Sequence, residues 1–147
     1  MVADAAGERG RDVSEDIEGL NRLMARFAAM PANVRKRAGQ QAFMGAEDMV
    51  ATMKSIAPRD DGEDGDQKLV DHIYQEEGRL GDVSYVVISD AKDSKGRPKA
   101  PRVELGHVAE DGTQVPAVPH FYPVVRTLGP KIKRRIASAV TRELRKK

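Results

Sequence analysis

The chain has 147 residues, with 25 Lys and Arg against 23 Asp and Glu, a formal net charge of +2, 33% charged and 39% apolar residues. The length suits a single domain, and the charge is too balanced for a histone-like DNA packer and too dense for a membrane protein. Cysteine is absent, which excludes disulfides, thiolate metal sites and a Cys nucleophile.

Residues 1–12 are small, polar and charged and read as a disordered tail; residues 13–147 read as one α+β domain. Ser14 is placed to cap a helix whose stripe is Ile17, Leu20, Leu23, Met24 and Phe27. Met30-Pro31 ends it, because a residue preceding proline is pushed out of the α region. A second helix is expected from about Ala32 to Ile56, with Val34, Ala38, Ala42, Ala46, Met49, Val50, Met53 and Ala57 on one side. Gly39 and Gly45 weaken it, each by about 1 kcal/mol relative to Ala. Pro58 stops it, and 58–68 reads as an acidic loop.

Leu69–Tyr74 is ambiguous between a short helix and an irregular strand. Gly78 and Gly81 flank a turn, and Val83–Ser89 is the strongest strand, rich in β-branched residues. Residues 90–100 read as a polar loop. Arg102–Gly106 reads as a second strand, with Val103 and Leu105 on one face and Arg102 and Glu104 on the other. Gly106 fits a bulge, a close backbone approach or a strand end. Asp111-Gly112 signals a turn, and the prolines of 116–123 make an extended arm carrying Phe121 and Tyr122. Phe121 either docks on a neighbour or anchors the arm on its own core. From Arg126 a last helix repeats Leu128, Ile132, Ile136, Val140 and Leu144 every four residues. The fold class is α+β: a small antiparallel sheet packed with a long helix from the N-terminal half and a C-terminal amphipathic helix.

Charge is sorted along the chain. Residues 58–82 hold nine acids and three bases, net −6, whereas 126–147 hold nine bases and one acid, net +8. Such asymmetry favours docking between copies or onto a charged partner. Lys131, Lys133, Arg134, Arg135 and Arg142 can face phosphates, but no aromatic residues interleave with them for base stacking.

Chemistry is sparse. His72, His107 and His120 share no metal-ligand spacing, so no metal is expected. The run Asp60-Asp61-Gly62-Glu63-Asp64-Gly65-Asp66 resembles a calcium loop only in composition: counted from Asp60, position twelve is Asp71, where an EF-hand needs Glu. No nucleophile elbow, GxGxxG or P-loop is present. The expectation is a non-enzyme without cofactor. A rival enzyme site would join Asp71, Glu104 and His107.

Four features occur in order: Ile56-Ala57-Pro58 with Asp61-Gly62 and Leu69…Ile73; the strand Val83–Ser89; Ala100-Pro101-Arg102-Val103-Glu104-Leu105-Gly106-His107; and Val115-Pro116-Ala117-Val118-Pro119-His120-Phe121-Tyr122-Pro123 before the last helix. Together they resemble the gene-product-ten family of HK-type siphophages, tail-completion or head–tail joining proteins, over about residues 32–147. Asp61 stands where that family usually has Thr, and Tyr122 where Arg is frequent.

The resemblance implies a virion protein of the phage neck or tail, made in the bacterial host cytoplasm. It also implies a ring of copies at the head–tail junction, six by analogy, bound to connector or head-closure and tail-tube proteins. The surface expected to carry assembly comprises Val83, Tyr85, Val87, Val103, Leu105, Pro119, Phe121, Tyr122 and Pro123. Lys131, Lys133, Arg134, Arg135 and Arg142 are expected to face the channel and touch genomic DNA without sequence preference. The alternative is a small DNA-binding module built on the basic helix. No secretory leader is read in MVADAAGERGRD, and no membrane contact is expected.

Overall fold

The computed structural model describes residues 13–59 and 65–146. The chain divides into two compact units, Met1–Pro31 and Ala32–Lys147. In the first, helix α1 spans Val13–Ala28. It begins one residue before Ser14, which therefore lies within the first turn; the Ser14, Ile17 and Phe27 side chains fall outside the described residues, as does the tail 1–12. An i,i+4 pair from Arg22 to Glu18 at 2.7 Å supports the helix.

The second unit is α+β. Helix α2 spans Ala32–Ile56 and helix α4 Tyr122–Leu144, with the hairpin β1 (Ile73–Gly78) and β2 (Gly81–Ser89) beside α2. A short helix α3 (Ala100–Leu105) and the small hairpin β3 (His107–Val108) and β4 (Gln114–Val115) lie between β2 and α4 in sequence. The core gathers Val50, Met53 and Ala57 of α2 and its end, Leu69, Ile73, Ala91 and Val124. The helical period of α2 places its small and apolar positions on this side.

Helices α2 and α4 run antiparallel, as their cross-links show. Asn33 donates to Glu143 at 3.2 Å, Arg135 donates to Asp48 at 2.9 Å, and Gly45 faces Ile132. The two α2 glycines are close-approach sites. A Cβ on Gly39 would lie 2.2 Å from the Asp82 carbonyl oxygen, and one on Gly45 would lie 2.5 Å from Ile132 Cγ2. Their cost in helix propensity is offset by bringing a strand backbone and a second helix against α2.

The ambiguous segment resolves as a 3-10 turn, Leu69–His72, leading into β1. The turn swings Leu69 onto the same side as Ile73, and both are buried. The hairpin register pairs Ile73 with Ser89 and Glu77 with Tyr85, with an irregularity at Glu77/Gly78.

Two expectations are corrected. Arg102–Gly106 is not a strand: Ala100–Leu105 is helical, with Pro101 in its first turn, where a fixed φ suits the helix. Its facing also changes, since Glu104 is buried and Leu105 is 73% exposed while Val103 packs against the core. Gly106, at φ 74°, ends α3; a Cβ there would lie 2.8 Å from the Val115 carbonyl oxygen. Of the three readings of this glycine, close approach is the one found. The arm is also shorter than 116–123. Residues 116–119 are exposed and lie outside any helix or strand, while Tyr122 and Pro123 form the first turn of α4, four residues before the expected start. Proline at a helix start costs no hydrogen bond, so Pro123 initiates the helix where periodicity alone suggested Arg126.

Candidate functional site

Glu104 organises the junction between α3, the arm and α4. Its carboxylate accepts hydrogen bonds from the backbone N–H groups of His120 (2.8 Å), Phe121 (2.9 Å) and Tyr122 (2.9 Å). The residue at the N-terminal end of α4, Phe121, supplies no side-chain cap. Glu104 therefore serves as the cap from another helix, and its negative charge sits at the positive end of the α4 dipole. Burial pushes its carboxyl up, but the three N–H donors and His120 outweigh this and hold it below the ordinary value. His120 is fully buried, not a surface or interface histidine as a lone His suggests. Its Nδ1 lies 3.1 Å from Glu104 Oε2 and 3.3 Å from the Val118 carbonyl oxygen, so Nδ1 carries the proton.

Beside this knot lies an open, largely apolar depression of about 220 Å³. Ser89, Ala100, Pro101, Leu105, Phe121 and Tyr122 line it together with Glu104. Leu105 and Tyr122 stand exposed at its rim, and Phe121 meets Tyr122 edge to face at 6.1 Å. Phe121 also packs against the core, so it anchors the chain on its own subunit. Val103 is half-buried against the same core, while Pro119 and Pro123 are exposed. Thus Leu105, Phe121 and Tyr122 are brought together, and Val103 is withdrawn from the surface.

The hairpin corrects the expected assembly face. Val83 is buried, Tyr85 packs edge-on against Phe43 of α2 at 5.4 Å, and Val87 joins the core, so these three face inward. Strand alternation turns the opposite face outward. That face carries the cross-strand pairs Tyr74–Ile88 and Glu76–Val86, with Val86 48% exposed. Among the described residues β1 and β2 pair only with each other, so each keeps one unpaired edge.

The small hairpin projects Val108 and the chain 111–119 into solvent. Its base is fastened by charge. Asp93 accepts from the Arg97 and Lys95 amides at 2.8 and 3.0 Å, and pairs with Arg97 (2.7 Å) and Arg102 (2.9 Å). These donors, led by the Arg97 amide, lower the Asp93 carboxyl to about 2. Glu110 of the hairpin turn bonds Lys95 and also reaches Arg97 at 3.4 Å. The polar loop 90–100 is therefore held by its own Asp93 and by Arg102 and Glu110 from outside it. Of the acidic loop, residues 60–64 lie outside the described residues; Asp66 accepts from the Ser94 amide at 2.6 Å.

The basic residues of α4 separate. Arg134, Arg135 and Arg142 line a cleft with Arg37 of α2, whereas Lys131 and Lys133 are exposed outside it. Sequence reasoning missed Arg37, whose signal was only its place one turn from the start of α2. The rival constellation does not assemble. Glu104 is occupied as described, His107 Nδ1 faces the Arg102 carbonyl at 3.4 Å, and Asp71 is exposed in the 3-10 turn without a bond to either. Among the described residues no cluster of three or more His, Cys, Asp or Glu is placed to hold a metal, and no helix is long and apolar enough to cross a membrane.

Comparison with protein families, with curated proteins and with solved structures finds no match for this chain.

Proposed function

We propose that this chain is a structural protein of a tailed-phage particle, a tail-completion or head–tail joining protein that works by assembling with copies of itself and with connector and tail-tube components. The ordered motifs from Ile56 to Pro123 support the family reading, and nothing in the chemistry of the site requires a substrate. The observation that carries the assembly reading is the hairpin β1–β2. It has two unpaired edges and an outer face on which Tyr74 and Val86 are exposed beside Glu76, an arrangement that invites strand addition or sheet packing. A ring needs two different patches per subunit. The second patch in this reading is Leu105 and Tyr122 with the exposed arm 116–119.

Sedimentation velocity over a concentration series, with electron microscopy of the heaviest species, tests this. A closed oligomer is expected, dissolved by Val86→Lys with an unchanged melting curve. A chain that stays monomeric at every accessible concentration overturns the self-assembly reading.

A further inference from the structure

The cleft between α2 and α4, about 330 Å³ in volume, holds five cations and one acid in its lining: Arg37, Arg134, Arg135, Arg142 and Lys146 against Glu143. Two of the cations are partly compensated. Arg135 pairs with Asp48 at 2.9 Å and Lys146 with Glu143 at 2.8 Å. The other three have no carboxylate hydrogen-bond partner among the described residues. Arg37 bonds only the Gln40 side chain, Arg134 only the Pro130 carbonyl, and Arg142 makes no side-chain bond. Arg37 also acts on the Glu143 carboxylate electrostatically, so folding has gathered five cations from both helices and the segment after α4 into one concavity with Glu143 as the acid of its lining.

We infer that this cleft binds the phosphate backbone of nucleic acid, without reading its bases. Three features select phosphodiester. Four of the five cations are guanidinium groups, whose planar forks match phosphate oxygens. On α4 the cations run from Arg134 to Arg142, a stripe of about 12 Å at 1.5 Å per residue, which spans about three to four phosphates of one strand along a duplex axis, and Lys146 follows just beyond the helix end. No aromatic side chain lines the cleft, so nothing stacks on bases. An acidic polypeptide, such as residues 58–71 of another copy, offers carboxylates but not this regular repeat. The site belongs to the single subunit and does not depend on ring formation.

The test uses the full chain and a short mixed-sequence duplex, followed by fluorescence anisotropy across a salt series. Arg134 and Arg142, with the partly compensated Arg37, predict a slope of log K on log salt of about −2 to −3, at roughly −0.9 per phosphate, equal for unrelated sequences. Arg134→Gln with Arg142→Gln should reduce that slope by about two and weaken binding at low salt at least about tenfold. Arg126→Gln with Lys133→Gln removes the same charge outside the cleft and should leave the slope nearly unchanged. Circular dichroism melts confirm that both variants fold. The inference is overturned by any of three results: no binding at low salt, equal losses in both double variants, or a peptide of residues 58–71 that binds more tightly than the duplex and displaces it. Sedimentation of the same samples reads assembly separately, so failure of the ring and failure of the cleft are distinguishable.

Discussion

Replacing Glu104 removes the side-chain cap at the N-terminal end of α4 and strands three backbone donors. Each hydrogen bond to a charged acceptor contributes about 1.5–3 kcal/mol, but the three share two oxygens, and water can reach the junction through the adjoining depression. The sum is therefore not realised, and Glu104→Ala is expected to cost about 3–4 kcal/mol, within the range for a lost cap plus unsatisfied donors. Glu104→Gln keeps the shape but turns an NH₂ toward one donor, for a loss of about 2 kcal/mol.

For a unit of this size 1 kcal/mol corresponds to about 3–5 °C in Tm, so the Ala variant should melt about 10–15 °C lower. Urea denaturation followed at 222 nm measures the difference, with exposed Glu47→Gln on α2 as a control expected within about 0.5 kcal/mol of wild type. The pH dependence has a definite sign. The folded carboxyl titrates below its unfolded value, so its stabilisation is fully present above the unfolded pKa and is lost as pH falls through the folded one. The gap between wild type and Glu104→Gln should accordingly narrow on acidification. A Glu104→Ala chain as stable as wild type at pH 7 would refute the capping account.

Three further outcomes follow from the packing. Gly39→Ala should destabilise by about 2 kcal/mol even though Ala is the better helix former, because the new Cβ meets a strand carbonyl that cannot move alone; a stabilised variant in denaturant titration would contradict this. Gly45→Ala meets only the Ile132 side chain, so a double-mutant cycle with Ile132→Ala should show favourable coupling of about 1 kcal/mol, and additive losses would exclude the contact. Carbon-13 NMR titration should place the Asp93 carboxyl midpoint at about 2. Its stabilisation is present above the ordinary Asp value and fades only as pH approaches that midpoint; titration in the ordinary range would mean that the clasp with Arg97 and Arg102 does not form in solution.

Much of the architecture is local enough to be legible in the residues. Helix α2 ends where Pro31 and Pro58 require, strand β2 follows from its β-branched run, and the stripe of α4 from a four-residue repeat. Each of these is decided by neighbours within a turn or two, so side-chain period and backbone restriction suffice. The clustering of acids and bases was equally visible, and so were three of the arginines that line the cleft.

Only the tertiary structure decided the rest, because it depended on partners distant in sequence. RVEL has the alternation of a strand, but it is helical, since Pro101 starts a turn and Glu104 finds the unsatisfied N–H groups of α4 sixteen to eighteen residues away. Burying a carboxylate contradicts any hydropathy pattern and is stable only because those donors are present. In the same way Gly39 and Gly45 look like weaknesses until Asp82 and Ile132 are in place, and Arg37 joins the arginines of α4 only when two antiparallel helices are brought together. Local periodicity decided which elements form; long-range satisfaction of charge, hydrogen bonds and volume decided which way they face.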